Sequence, residues 1–239
     1  MSTLSENETR ELVLANHILY RHGVVDGFGH VSPRDSSDPN LFWLSGSMAP
    51  ALVTAADILP FDMDANALVE NPPAVYAERF IHSEIYRNHP EVMSVVHSHA
   101  PSIIPFGVVG DARLRAIFHM SSFLGQDTPI FEIRDHAGDA SDLLIRTAAL
   151  GDALATTLGE NPVVLMRGHG ATMVGDSIPQ AVFRAIYAAE NASLQSAAVQ
   201  LGVDVNYLTE GEVLAATASN NTFIHRAWEL WVRDVERDA

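Results

Sequence analysis

The chain has 239 residues and no cysteine, which excludes disulfides, thiolate zinc sites, iron–sulfur clusters and a cysteine nucleophile. Its 30 Asp and Glu against 14 Lys and Arg leave a net charge of −16, without the clustered positive charge that nucleic acid or an anionic membrane requires. Any metal site must be built from carboxylates and the 11 histidines, and a metal or one placed arginine would let a small anionic substrate bind despite the acidity.

The length suits one domain over residues 1–239, with no repeat or linker. The N-terminus lacks a basic n-region and an apolar h-region, and no apolar run reaches the length of a membrane span, so a cytoplasmic protein without a membrane partner is expected. Ser5 and Glu8 have capping-box spacing and start a first helix that Gly23 stops. Residues 24–50 read as short strands and turns, with a strand at 41–45 followed by the turn Ser45-Gly46-Ser47. A second helix is predicted over 75–88, with Phe80, Ile81 and Ile85 inward and Glu78 and His82 on one side. VMSVV (92–96) and PVVLM (162–166) are buried-strand runs, and another strand lies near 130–133. A helix is predicted over 142–158 and a long one over 178–201, with Pro179 near its start. The last third is mainly helical, and the alternation of helices with turn-dense strands gives an α/β fold with a mixed sheet.

Each of the two buried-strand runs leads into histidine. His97 and His99 stand at i and i+2, so in extended backbone their side chains leave one face. His169 follows the other run between Gly168 and Gly170. If the two strand ends are neighbours, three imidazoles converge with coordination positions open, the pattern of a catalytic metal site. The spacing also suits solvated histidines at strand ends. On spacing alone, Glu78 reads first as an exposed helix glutamate paired with Arg79 or Arg87 and only second as a fourth ligand or proton shuttle, and Arg167 reads as a clamp on a substrate carboxylate or as the partner of an acidic neighbour. The remaining histidines read one by one as helix-face or loop residues. No P-loop, dinucleotide fingerprint or nucleophile elbow is present.

The segments RHGVVDGFGHVSPR, LSGS, AERFIH, VVHSHA and LMRGHGATMVG, in that order, resemble the class II aldolase/adducin family. The resemblance implies a three-layer α/β/α sandwich around a mostly antiparallel sheet, and a homotetramer with active sites at subunit interfaces. It implies one divalent ion per subunit on His97, His99 and His169, zinc or manganese first, with iron, cobalt or magnesium as alternatives. Glu78 matches the family's acid/base glutamate. Two departures count against a phosphate-binding cup. His30 stands where the sugar-phosphate aldolases have Asn, and Val75-Tyr76-Ala77 replaces their hydroxyl pair.

GHVSPRD, FHMSSFLG, FEIRD and LMRGHG are similar to a branch that includes decarboxylases of hydroxylated aromatic or pyridine dicarboxylates and of ring-cleavage semialdehydes. A metal-dependent carbon–carbon lyase acting on a small carboxylate is therefore expected, with a decarboxylase first. An aldolase acting on a non-phosphorylated hydroxy-carbonyl compound is the alternative. His30, Ser45, Gly46, Ser47, Arg167 and His119 are the expected substrate contacts, and Tyr207 is a candidate to enter a neighbouring subunit's site. An adducin-like interaction module is a third reading. The three retained histidines argue against it, because adducin-like heads lack them.

Overall fold

Local signals start the chain where the sequence places them. Helix α1 (Glu6–Arg21) opens on a complete capping box, Ser5 Oγ accepting the Glu8 N–H and the Glu8 carboxylate accepting the Ser5 N–H. The computed structural model describes residues 4–202 and 204–237. After α1 come β1 (His30–Pro33), β2 (Leu41–Ser45), β3 (Ile58–Asp62), α2 (Arg79–Asn88), β4 (Ser94–Ser98) and α3 (Ile104–Val108). A 3₁₀ turn spans His119–Leu124. Then follow β5 (Ile130–Phe131), α4 (Arg134–Ala137), α5 (Ala148–Leu158), β6 (Val163–Met166) and β7 (Gly170–Gly175). The chain closes with α6 (Ile178–Leu201), α7 (Glu210–Asn221) and α8 (Ile224–Arg237). No helix among the described residues is long and apolar enough to cross a membrane.

Two predicted helices begin later than their periodicity suggests. Residues 74–77 are drawn onto the turn after β2. The Ser47 N–H donates to Ala74 O at 2.7 Å and the Tyr76 hydroxyl donates to Met48 O, so α2 starts only at Arg79. Residues 142–147 form a loop in which Leu143 has φ of +68° and the Asp142 side chain accepts the Leu144 N–H. Thr147 then caps α5 by accepting the Leu150 N–H.

The main sheet has the order β1-β4-β7-β6-β5, and every neighbouring pair is antiparallel except β5 with β6. Alternate residues feed two cores. Val96, Val163, Leu165 and Met173 pack toward α1, α6 and α8, whereas Val95, Val164, Met166 and Val174 pack toward α2, α5 and the β2–β3 hairpin. Helices thus cover both faces, and the architecture is the expected α/β/α sandwich.

Strands β6 and β7 are joined by Arg167-Gly168-His169, closed by the Met166↔Gly170 pair. Gly168 has φ of +68°, a conformation that glycine reaches without a Cβ clash. A Cβ on Gly170 would lie 2.1 Å from Ser98 O, so only glycine lets β7 start this close to the end of β4. Gly170→Ala should therefore destabilise the fold by about 2 kcal/mol or more, read as a lower urea midpoint. An unchanged midpoint would mean that the two backbones separate freely.

Candidate metal centre

Antiparallel pairing sets His97 of β4 beside Thr172 of β7, while His99 leaves the end of β4 and His169 ends the turn that enters β7. Glu78, at the N-cap of α2, completes a cluster whose four ligand atoms lie within 4.8 Å of one another. His97 Nε2 is 3.0 Å from His99 Nε2, which is 2.8 Å from His169 Nε2. Glu78 Oε2 lies 3.6 Å from His97 Nε2 and 3.5 Å from His169 Nε2. The exposed pairing of Glu78 with Arg79 or Arg87 does not form: Glu78 is buried, and its Oε1 accepts the Ile145 N–H at 2.9 Å.

The donor chemistry fits a divalent cation. His169 Nδ1 lies 2.9 Å from Leu143 O, and a carbonyl only accepts, so Nδ1 carries the proton and Nε2 turns a lone pair into the cluster. Three imidazole nitrogens cannot all point hydrogens or bare lone pairs at each other from such distances. One shared cation would satisfy all three inward nitrogens at once and so account for their close approach. Burial, then the neighbouring imidazoles, hold His97 well below the usual histidine range and lower His99 as well, favouring the neutral ligand form. At His169 burial also pulls downward, but the hydrogen bond and charge of Glu78, with the Leu143 carbonyl and Asp142, together outweigh it and raise the pKa.

His30 of β1 lies opposite His97 in register, with ring centroids 5.0 Å apart. Its Nδ1 meets His82 Nε2 of α2 at 2.6 Å. The turn Ser45-Gly46-Ser47 reaches the same region through Tyr76. The Ser45 and Tyr76 hydroxyls are 3.3 Å apart, and the Tyr76 ring lies 4.6 Å from the His30 ring. Gly46 and Ser47 hold this turn through backbone bonds to Asp57 O and Ala74 O.

The other expected contacts have partners outside the cluster within this chain. Arg167 Nε forms a 2.6 Å ion pair with Glu132, so its acidic-neighbour reading is the one realised in this conformation. Glu132 also receives three hydrogen bonds from Arg134, two of them from the side chain, and Arg134 together with Arg167 holds its carboxylate down at about 2. His119 is not brought to the cluster. It lines a separate cavity of about 510 Å³ with Phe183, Tyr187 and Trp231, and its carbonyl accepts from Asn220 of α7. Tyr207 lies in its own chain under the Arg115 guanidinium, 3.9 Å from the ring centroid. His17 and His89 meet backbone carbonyls, of Val53 and Ala155. Tyr76, His82, Leu143 and Ile145 were not singled out as site residues from sequence. Of these, His82 carries a signal in its helical spacing from Glu78, and Tyr76 in its place within the segment that replaces the hydroxyl pair.

Residues 10–196 match the family described as Class II Aldolase and Adducin N-terminal domain. The chain is 40% identical to the decarboxylase tropJ of Talaromyces stipitatus, with 95% of this chain and 93% of that protein aligned. It is 31% identical to the 3,4-dihydroxyphthalate decarboxylase of Rhodococcus jostii, over 91% of this chain and 90% of that one. The fold superposes on the L-fuculose 1-phosphate aldolase from Glaciozyma antarctica with a TM-score of 0.79 at 20% identity, covering 99% and 94% of the two chains.

Burial lowers the pKa of His82 to about 3, so the folded chain leaves it neutral where an unfolded chain would protonate it. The unfolded state then binds more protons between pH 6.5 and 3, and stability present above pH 6.5 is lost as pH falls. Denaturant titrations from pH 7 to 5 should show a loss approaching about 1.4 kcal/mol per pH unit from this histidine. His82→Phe should flatten the slope by one proton. An identical slope in both proteins would place the titration elsewhere.

Proposed function

The chain belongs to the class II aldolase and adducin family, and on that premise we propose that it is a divalent-metal-dependent decarboxylase of a hydroxylated aromatic or ring-cleavage carboxylate. That it is a carbon–carbon lyase follows from the family and its decarboxylase relatives. The observation that carries the finer reading is the convergence of three imidazole Nε2 atoms and one carboxylate on a single point.

His97, His99 and His169 would hold the metal, with zinc or manganese the first candidates. A divalent cation there would supply a Lewis acid for the negative charge that develops on a substrate oxygen as the carbon–carbon bond breaks. Glu78 is built to manage a proton. Its Oε1 is pinned by the Ile145 amide, leaving Oε2 to deliver a proton to the carbon that CO2 vacates. Loss of CO2 leaves the bonding pair on that carbon, and one proton completes the product. His30 and the Ser45–Ser47 turn, braced by Tyr76, would orient the polar groups of the substrate. Arg167, already paired with Glu132, would steady the turn that bears His169 instead of gripping substrate.

A homotetramer with the site at a subunit interface belongs to the same reading. Phe28, 69% exposed in the isolated chain, lies 6.4 Å from the His99 ring, where a second copy would cover it.

With metal-replete protein, a panel of ortho-hydroxylated aromatic carboxylates, pyridine dicarboxylates and semialdehyde acids should release CO2, and EDTA should stop it. Glu78→Gln should retain metal and lose about 10²–10⁴-fold in kcat. His97→Ala should lose both metal and turnover. Carbonyl fragments without CO2 would return the enzyme to aldol cleavage, and full activity in His97→Ala would refute the metal centre.

A further inference from the structure

Behind His30 runs a chain of buried hydrogen bonds that the proposed chemistry leaves unused. His30 Nδ1 is 2.6 Å from His82 Nε2, His82 Nδ1 is 2.6 Å from Ser32 Oγ, and Ser32 Oγ is 2.7 Å from the Tyr86 hydroxyl. His82 and Ser32 are fully buried, with Tyr86 and His30 at 1% and 3% exposure. The Tyr86 hydroxyl also lies 2.8 Å from Ser32 O.

That carbonyl sets the direction of every bond in the chain. It only accepts, so the Tyr86 proton must point to it, because the opposite arrangement would face two lone pairs at 2.8 Å. The Tyr86 oxygen then accepts from Ser32 Oγ. With its hydrogen committed, Ser32 accepts from His82 Nδ1, and His82 carries its proton there. His82 Nε2 is left as an acceptor and takes the Nδ1–H of His30. His30 Nε2 therefore holds a lone pair. It has no hydrogen-bond partner among the described residues, yet it is not among the atoms sealed from solvent without one.

We propose that His82, Ser32 and Tyr86 are positioning residues that lock His30 in the Nδ1–H tautomer, so that Nε2 accepts a hydrogen bond from a substrate hydroxyl and disfavours a carboxylate at that position. A lone pair repels a carboxylate oxygen and welcomes an O–H. The wiring thus makes His30 a specificity determinant for hydroxylated substrates. Only the identity of the substrate rests on the decarboxylase reading; the tautomer does not.

The test is long-range ¹H–¹⁵N spectroscopy of the full chain labelled with ¹⁵N-histidine, both zinc-loaded and metal-stripped, with His30 and His82 assigned through His30→Gln and His82→Gln. Both residues should show a protonated Nδ1 and a bare Nε2. A proton on Nε2 of His30 would overturn the proposal. Tyr86→Phe removes the anchored donor and frees the Ser32 hydroxyl to donate to His82, so the His30 signal should move toward a mixture of tautomers. An unmoved signal would refute the anchoring role. With a hydroxylated substrate, Tyr86→Phe and His82→Phe should lose about tenfold in kcat/KM at unchanged zinc content, while His82→Gln, which can both donate and accept, should stay within about threefold. Equal losses in His82→Gln and His82→Phe would reduce His82 to packing and overturn its positioning role. If no substrate is turned over by the unaltered enzyme, the decarboxylase reading fails while the spectra still decide the tautomer.

Discussion

The antiparallel contact between β4 and β7 is the constraint on which the site depends. Neighbouring strands lie about 4.8 Å apart, and opposed directions set the exit of one beside the entrance of the other. His97 and His99 leave β4 where His169 enters β7, so two histidines from one segment meet a third from 70 residues away. Gly170 allows the approach, since any Cβ there would strike Ser98 O. The rest of the centre is assembled against this pair of strands.

The loop at residues 142–147 performs the second task. Leu143 holds a left-handed backbone conformation that disfavours a branched side chain, a strain of about 1–3 kcal/mol. In that conformation its carbonyl meets His169 Nδ1, and two residues later the Ile145 amide meets Glu78. One short segment therefore orients a candidate ligand and the candidate proton carrier together. The two side chains come from different layers of the fold, and the loop ties their geometries to each other.

Burying this many polar groups is tolerable only if each finds a partner. His82, Ser32 and Tyr86 have essentially no contact with water, and each makes the hydrogen bonds its chemistry permits. In a low-dielectric interior such a chain is rigid as well as satisfied. The acidic character of the whole molecule is offset locally in the same way. Glu132 is neutralised by two arginines beside the turn that carries His169.

Sequence alone determined what short-range physics controls. The Ser5–Glu8 box started α1, Pro179 opened α6, and i, i+2 spacing put His97 and His99 on one face. The glycines of RGHG permit a tight turn whatever segment lies beside them. Only the tertiary structure decided the choices made between distant segments. Tyr76, drawn to Met48, shortened α2 and left Glu78 at its N-cap, and Leu143 turned the predicted start of α5 into a loop. Pairing with Glu132 occupied Arg167, and the His119 carbonyl is tied to α7 beside a separate cavity. His82 found His30 only because α2 lies across the sheet face to which β1 turns His30 and Ser32. Periodicity and capping act within a few residues and can be read from one segment. The partner of a buried polar group is selected by strand order and layer packing, which no single segment encodes.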